Sequence, residues 1–338
     1  MAVSVRDVAA RAGVSVGTVS NVLNRPDRVA ASTVERVVAA IEELGFVRND
    51  AARQLRAGHS RSIGLAVLDI GNPFFTDMAR GAEDRARESG LSVLLANSDQ
   101  DEQRETAHLD LFAEQRVFGI LITPVGNTPR RLESLRAHGT PTVLVDQRAD
   151  SDKFSSVAVD DVAGGYLAVR HLLDLGRRRI AFVGGPTRLR QVAERLEGAR
   201  AAVAETAGAT LEVLAREAPT VLQGRAAGEE IRERPASRRP DAVFAANDLL
   251  AMGVLQAFSM LGSVRVPDDI ALIGYDDIDF AQSSVVPMSS IRQPSHAIGH
   301  TAVDLLIREN ADGESFAPEQ IVFQPELIVR DSTVGAAG

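Results

Sequence analysis

The sequence predicts two structural classes in one chain, a small all-α head built on a helix-turn-helix and an α/β body of two lobes. Three observations predict this. Up to Gly45 the chain carries three short helical periodicities and no strand-like run. From Arg61 onward, short β-branched runs alternate with helical stretches, and they do so in two successive series. The 338 residues are also too many for a single compact core.

Ser4 opens the first helix as its N-cap, and Asp7 three residues on gives a capping-box-like start. Val5-Arg6-Asp7-Val8-Ala9-Ala10-Arg11-Ala12 then runs to Gly13, which can take the left-handed conformation that ends a helix. Ser15 caps a second helix. Val5, Val8, Ala9, Val19, Val22 and Leu23 give the two helices apolar faces. Two helices joined by about three residues that include a glycine make the helix-turn-helix pattern. After a turn at Asn24-Arg25-Pro26-Asp27, Ser32-Thr33-Val34-Glu35 predicts a third capped helix. Val34, Val37, Val38, Ile41 and Leu44 recur along it at helical spacing, and Gly45 stops it. Residues 48–58 hold good helix formers but are too few for a stable isolated helix, so they read as a segment that orders on contact or as a plain linker.

In the body, residues 63–69, 91–97, 119–123 and 142–146 read as strands, bounded by Gly, Pro, Asn or Asp. Phe75, Met78, Ala79, Ala82 and Ala86 mark a helical face between the first two. The second series falls at 180–183, 211–214, 242–245 and 270–274. Such alternation means parallel sheets covered on both faces, and two series mean two lobes. Segments 289–292, 320–323 and 327–329 read as crossovers between them. The expected limits are a head at 1–47, a hinge at 48–60, a body at 61–332 and a tail at 333–338. Within the body, the N-lobe takes 61–161 and 290–320, and the C-lobe 162–289 and 321–332. Ligands of open α/β sheets sit beyond the carboxyl ends of the strands, here between the lobes. That rule selects Asp69, Asp146, Asn247 with Asp248, and Asp276, while Phe74 and Phe75 at a helix start offer a ring face.

Composition narrows the function. The net charge of −9 speaks against nucleic acid only when read globally. Residues 1–61 hold nine arginines against six acids, a net +3, which leaves −12 on the rest: a basic head on an acidic body. There is no cysteine, so disulfides, thiolate metal sites and cysteine nucleophiles are excluded. The start, MAVSVRDVAARAG, does not read as a secretion signal, and no apolar run reaches the roughly 18 residues of a membrane span. The expectation is a cytoplasmic, nucleoid-associated protein.

The string SVRDVAARAGVSVGTVSNVLN resembles the N-terminus of the lactose-repressor/galactose-repressor family of bacterial transcriptional regulators, and the resemblance continues through the whole chain. It implies a DNA-binding head in which Ser15 and Thr18 contact phosphates, and Val16, Gly17, Ser20 and Asn21 face the base edges of the major groove. Ser4, Val5, Asn24 and Arg28 are further candidate contacts. It implies hinge helices that pair in the minor groove, with Leu55 as the wedge and Asn49 and Ala52 beside it. The chain departs from the family's Tyr-x-Pro-Asn before the hinge, where it has Phe46-Val47-Arg48-Asn49. The resemblance also implies a periplasmic-binding-protein-like body with an effector in the cleft, reached by Arg195 of Arg195-Leu196-Glu197-Gly198. The usual aromatic residue after that glycine is Ala199 here. The implied partners are palindromic operator DNA and a second copy of the chain; no membrane is implied. A leucine-rich tetramerising tail is not evident in the last residues.

Carboxylates, an amide, an arginine and an aromatic face together suit a sugar or sugar derivative, with a nucleobase or nucleoside as the alternative. The expected function is that of an effector-controlled regulator, a repressor, without a cofactor, a metal or catalytic residues. The pattern Gly13-Val14-Ser15-Val16-Gly17 matches a hydrolase elbow, but no strand precedes it. His296 and His300 are spaced for a metal on a helix, without a third ligand. A stand-alone carbohydrate-binding protein would use the same body without the head.

Overall fold

The computed structural model describes residues 3–46, 59–126, 129–260 and 264–335. The chain divides into two units, Met1–Ser60 and Arg61–Gly338. In the first, helices α1 (Val5–Ala12), α2 (Val16–Asn24) and α3 (Ala31–Leu44) enclose Val8, Val19, Val22 and Val37. The capping box forms: the Ser4 N–H donates to Asp7 Oδ2 at 2.8 Å, and the Asp7 N–H to Ser4 Oγ at 3.4 Å. Gly13 ends α1 at φ 65°. Two expectations are corrected. Helix α3 begins at Ala31 and no side chain caps it, because the chain is still extended at Val29 and turns into the helix directly after Ala30. Ser32 therefore lies inside the first turn and cannot cap it. Val38, counted into the apolar spacing, is 42% exposed, since the buried stripe runs through Val37 and Ala40. Of the expected hinge contacts, Asn49, Ala52 and Leu55 lie outside the described residues.

The second unit holds two sheets. The first has the order β11-β5-β4-β3-β1-β2, all parallel, with β1 (Ser62–Val67), β2 (Ser92–Asn97), β3 (Gly119–Ile122), β4 (Thr142–Val145), β5 (Ser155–Val159) and β11 (Gln320–Phe323). The second has the order β12-β10-β9-β8-β6-β7, with β6 (Arg179–Gly184), β7 (Thr210–Ala215), β8 (Ala242–Ala245), β9 (Ala271–Asp276), β10 (Ser289–Arg292) and β12 (Glu326–Ile328). Only β12, at its edge, pairs antiparallel. In both sheets the order reverses at the first strand of the series, β1 or β6. The carboxyl ends of those two strands flank the crevice in which doubly wound folds bind ligands.

Strand β5 was not expected. It is buried along its whole length, but its Ser155 and Ser156 and the acidic approach to it hide the apolar signal. The lobe limits also shift. Because β10 pairs with β9 over all four of its residues, the chain leaves the second lobe after Arg292, not at 290. Because β11 pairs with β5, it returns after Phe323, not at 321. The expected tail starts too early as well: Thr333 is buried in helix α13 (Asp331–Val334), with its Oγ1 2.7 Å from Ser289 Oγ and 2.9 Å from His171 Nε2.

The helices that cover the sheets are α4 (Pro73–Glu88), α5 (Glu102–Glu114), α6 (Pro129–Ala137), α7 (Asp161–Asp174), α8 (Arg190–Ala204), α9 (Val221–Glu233), α10 (Asp248–Ser259), the short α11 (Asp279–Ser283) and α12 (Ser295–Asp312). Three neighbouring pairs cross on facing glycines: Gly81 with Gly299 in α4 and α12, Gly165 with Gly198 in α7 and α8, and Gly224 with Gly253 in α9 and α10. A Cβ at any of these six positions would run into a backbone carbonyl oxygen of the partner helix. The backbones approach this closely because no side chain stands between them.

Candidate functional site

The strand ends converge on one cavity between the lobes. From the first lobe it is lined by Leu68, Asn72, Phe74, Phe75 and Asp146; from the second, by residues that include Arg195, Ala246, Asn247 and Asp276. Phe74, Phe75, Asp146, Arg195, Asn247 and Asp276 are thus brought together. Asp69 does not join them. Strand β1 ends at Val67, and the Asp69 carboxylate turns back to accept from the Gly71 N–H at 2.8 Å, so it serves its own turn.

Arg195 organises the floor. Its Nε donates to Asp161 Oδ1 and its Nη1 to the Ala246 carbonyl, each at 2.7 Å. Its guanidinium lies 3.7 Å from the centre of the Tyr275 ring and 3.7 Å from Asp276 Oδ1. Burial, with the nearby Asp161 charge, raises the Asp146 carboxyl well above its ordinary range. Burial likewise raises Asp276, against the pull of Arg195. Burial works against the Arg195 charge, but Asp161, Tyr275, Asp276 and Asp146 together outweigh it and hold the guanidinium protonated. The Tyr275 phenol is pushed up by burial and by Asp161.

Hydrogen bonds cross the cleft at this cavity. Asn72 Nδ2 donates to Asp276 Oδ2 at 3.0 Å, and Gln191 Nε2 donates to Asp146 Oδ2 at 2.7 Å. Gln293, just past β10, donates to Asp276 Oδ1 at 2.7 Å. Asp146 Oδ1 is buried and has no hydrogen-bond partner among the described residues. Asp146 and Asp276 sit at φ 60° and 102°, so both carboxylates are offered from a backbone conformation that is rare outside glycine. Phe74 and Phe75 meet edge to face, 5.0 Å apart at 74°. The cavity measures about 50 Å³, room for about four waters at ~10–15 Å³ each. Carboxylate acceptors, guanidinium and amide donors and phenyl faces in so small a space can hold a compact ligand that both donates and accepts.

Sequence reasoning missed Asn72, Gln191, Asp161 and Gln293. Asn72 was legible as the cap of a helix opening with proline, and it does cap α4, with Phe74 N–H 3.1 Å from its Oδ1. The others lie within helices or past strands, where no motif marks them. Asn247 does double duty. Its Oδ1 caps α10 at Leu250 and its Nδ2 donates to the Pro219 carbonyl, which leaves it one N–H for a ligand.

In the head, Ser15 caps α2: its Oγ accepts from the Thr18 N–H at 3.1 Å and lies 2.9 Å from Thr18 Oγ1. It is a helix cap, and helix α1 stands before it where a hydrolase elbow needs a strand. Val16, Gly17, Asn21 and Asn24 are exposed along α2, Ser20 and Thr18 are half-buried, and Arg28 is exposed in the 3-10 turn Pro26–Arg28. Asn24 Nδ2 donates to the Ser20 carbonyl at 2.7 Å. At the start of α1, Ser4 is exposed and Val5 half-buried. His296 lies 3.1 Å from Asp84 in an exposed pair. No helix among the described residues is long and apolar enough to cross a membrane.

Comparison with known proteins places both units. Residues 4–49 match the bacterial regulatory proteins of the lacI family, and residues 169–333 match the periplasmic binding protein-like domain. The chain is 33% identical over 335 residues to the HTH-type transcriptional repressor PurR of Photobacterium profundum, spanning 97% of this chain and 98% of that one. It is 35% identical over 331 residues to the ribose operon repressor of Escherichia coli (strain K12), spanning 97% and 99%. Among solved structures, the lac repressor dimer bound to operator and the anti-inducer ONPF superposes with a TM-score of 0.82 at 26% identity, covering 99% of this chain and 100% of that chain. With a helix-turn-helix head, a two-sheet body and a full-length match to known repressors, this chain belongs to the lacI family of bacterial regulatory proteins.

Proposed function

We propose that this DNA-binding transcriptional repressor is controlled by a sugar-class effector that seats a glycosyl ring in the interlobe cleft. One observation carries the reading: Asp146, Asp276, Arg195 and Asn72 converge on a small cavity walled by Phe74 and Phe75. Sugar hydroxyls donate and accept at once, so they suit carboxylates and a guanidinium side by side, while the C–H face of the ring packs on phenyl. The similarity to a ribose operon repressor supports this class. A nucleobase is the second reading, since a flat base can also lie on a phenyl face; the 74° between the two rings gives it no parallel slot.

A ligand here replaces the Asn72–Asp276 and Gln191–Asp146 bonds with bonds of its own, and so shifts the balance of lobe positions. Operator binding by two copies on a palindrome fits the similarity to the lac repressor dimer. The test is fluorescence anisotropy on the DNA upstream of the chain's own coding sequence, with a panel of sugars and purines. Binding should weaken steeply with salt, and one sugar should change it at least tenfold. A change produced by a purine and by no sugar would transfer the site to the second reading.

The head makes its own prediction. Val16 and Gly17 carry no side-chain donor or acceptor, so hydrogen-bonded discrimination falls to Asn21 and Arg28. Asn21→Ala is expected to change base preference, at about 1–3 kcal/mol for the position it reads. Thr18→Ala is expected to weaken binding to all sequences alike. Binding-site selection on both variants checks this, and identical preferences for Asn21→Ala and wild type would overturn it.

A further inference from the structure

The cleft has a second compartment. Beside the inner cavity lies another of about 240 Å³, roughly five times as large. Pro124, Val125, Leu132, Leu144 and Phe154 form its apolar side. The polar side is Gln147, Asp150 and Ser151 of the first lobe and Arg188 and Arg190 of the second. None of these residues lines the inner cavity.

The partition between the two is built from neighbouring residues. Asp146 lines the inner cavity and Gln147 the outer; Leu189 and Gln191 line the inner, Arg188 and Arg190 the outer. The Gln191–Asp146 hydrogen bond is the crosspiece. Arg190 clasps the outer compartment, donating to Asp150 Oδ1 at 2.6 Å and to the Arg148 carbonyl at 3.1 Å across the lobes, with its Nε on Glu194 at 2.6 Å. Arg188 stands exposed at the rim. Arg188 and Arg190 are balanced by Asp150 and Glu194, so the compartment has no net charge to draw in an anion. Donors and acceptors opposite an apolar wall and one phenyl repeat the chemistry of the inner cavity.

We propose that the outer compartment is the subsite for a second, neutral glycosyl unit, so that the effector of this chain is a disaccharide or short glycoside whose linkage replaces the Gln191–Asp146 crosspiece. This rests on the sugar reading of the inner cavity and extends it.

The test is calorimetric titration of the full-length protein with monosaccharides, each paired with its own disaccharide, D-glucose with cellobiose and D-xylose with xylobiose among them. Wild type is expected to bind one disaccharide at least tenfold more tightly than its monosaccharide. Ser151→Trp, which fills the outer compartment, should abolish that gain and leave monosaccharide affinity within twofold. Arg188→Ala, at an exposed position where the fold is expected to stay intact, should reduce the gain severalfold by the same criterion. Monosaccharide binding with no tighter disaccharide, or a disaccharide gain untouched by both variants, would overturn the second subsite and leave the inner one standing. Binding of no sugar at all would overturn both.

Discussion

Arg195→Met is expected to cost about 3–5 kcal/mol of folding stability and to abolish the response to effector. The guanidinium is buried and is the positive charge set among Asp161, Asp276 and Asp146. Its bonds to Asp161 and the Ala246 carbonyl, and its stacking on Tyr275, are lost together. The carboxylates then have to take up protons or stay buried without compensation. The sign of the pH dependence follows. Burial already raises Asp146, Asp161 and Asp276 above their ordinary value of 3.8, so the folded form binds more protons than the unfolded chain. Removing Arg195 raises them further. The loss of stability is therefore greatest above those raised values, and it shrinks as the pH falls through them toward 3.8. Chemical denaturation at several pH values checks this. The double variant Arg195→Met, Asp161→Leu should recover part of the stability without recovering effector binding, because removing both partners of a buried pair is far milder than removing one. A single variant as stable as wild type at neutral pH would show that the pair does not hold the floor of the cleft.

Gly198→Ala is expected to destabilise the body by about 1–3 kcal/mol although it adds only one methyl group. The added Cβ would run into the Val162 carbonyl of α7, and relief requires α7 and α8 to move apart. Both helices carry cleft residues: Asp161 opens α7, and α8 presents Gln191 and Arg195. The variant should accordingly lose effector affinity as well as stability, whereas an ordinary core defect far from the cleft would lower stability alone. Gly17→Ala supplies the contrast. There a Cβ meets nothing nearer than Ser15 Oγ at 3.6 Å, and the residue lies exposed in the first turn of α2. Alanine should stabilise the head by about 0.5–1 kcal/mol. A glycine that lowers stability where packing does not require it fits a surface that another molecule approaches closely. Thermal unfolding of both variants, with operator titration of Gly17→Ala, separates the two kinds of glycine.

Much of this architecture was legible because it rests on local rules. The Ser4–Asp7 box, the Gly13 stop and the Ser15 cap follow from side chains bonding to backbone within three residues. The rule for strand ends found Asp146, Asn247 and Asp276, since chain order alone places them. What stayed hidden depends on neighbours distant in sequence. Strand β5 places Ser155 in the core, where its Oγ accepts from the Glu319 N–H, 164 residues away. Asp248 read as a companion of Asn247 at the cleft, yet it is buried beneath β10, accepting from Ser290 Oγ at 2.7 Å and the Ile278 N–H at 2.9 Å. It holds the loop that follows Asp276 and lines neither compartment. Asn72 was hidden for the opposite reason, because its local role as a cap was sufficient explanation for its presence.

The left-handed backbone at Asp146 and Asp276 has a consequence for how such cleft sites diversify. At these positions glycine, asparagine and aspartate are the residues the main chain accepts most readily. The carboxylates are thus held in place by backbone geometry as well as by whatever they bind, and a descendant with a new effector can keep both unchanged. Leu189, Val192, Pro219 and Ala246, which also line the inner cavity, are under no such backbone constraint. They are the positions at which a change of effector can be written with least disturbance to the fold.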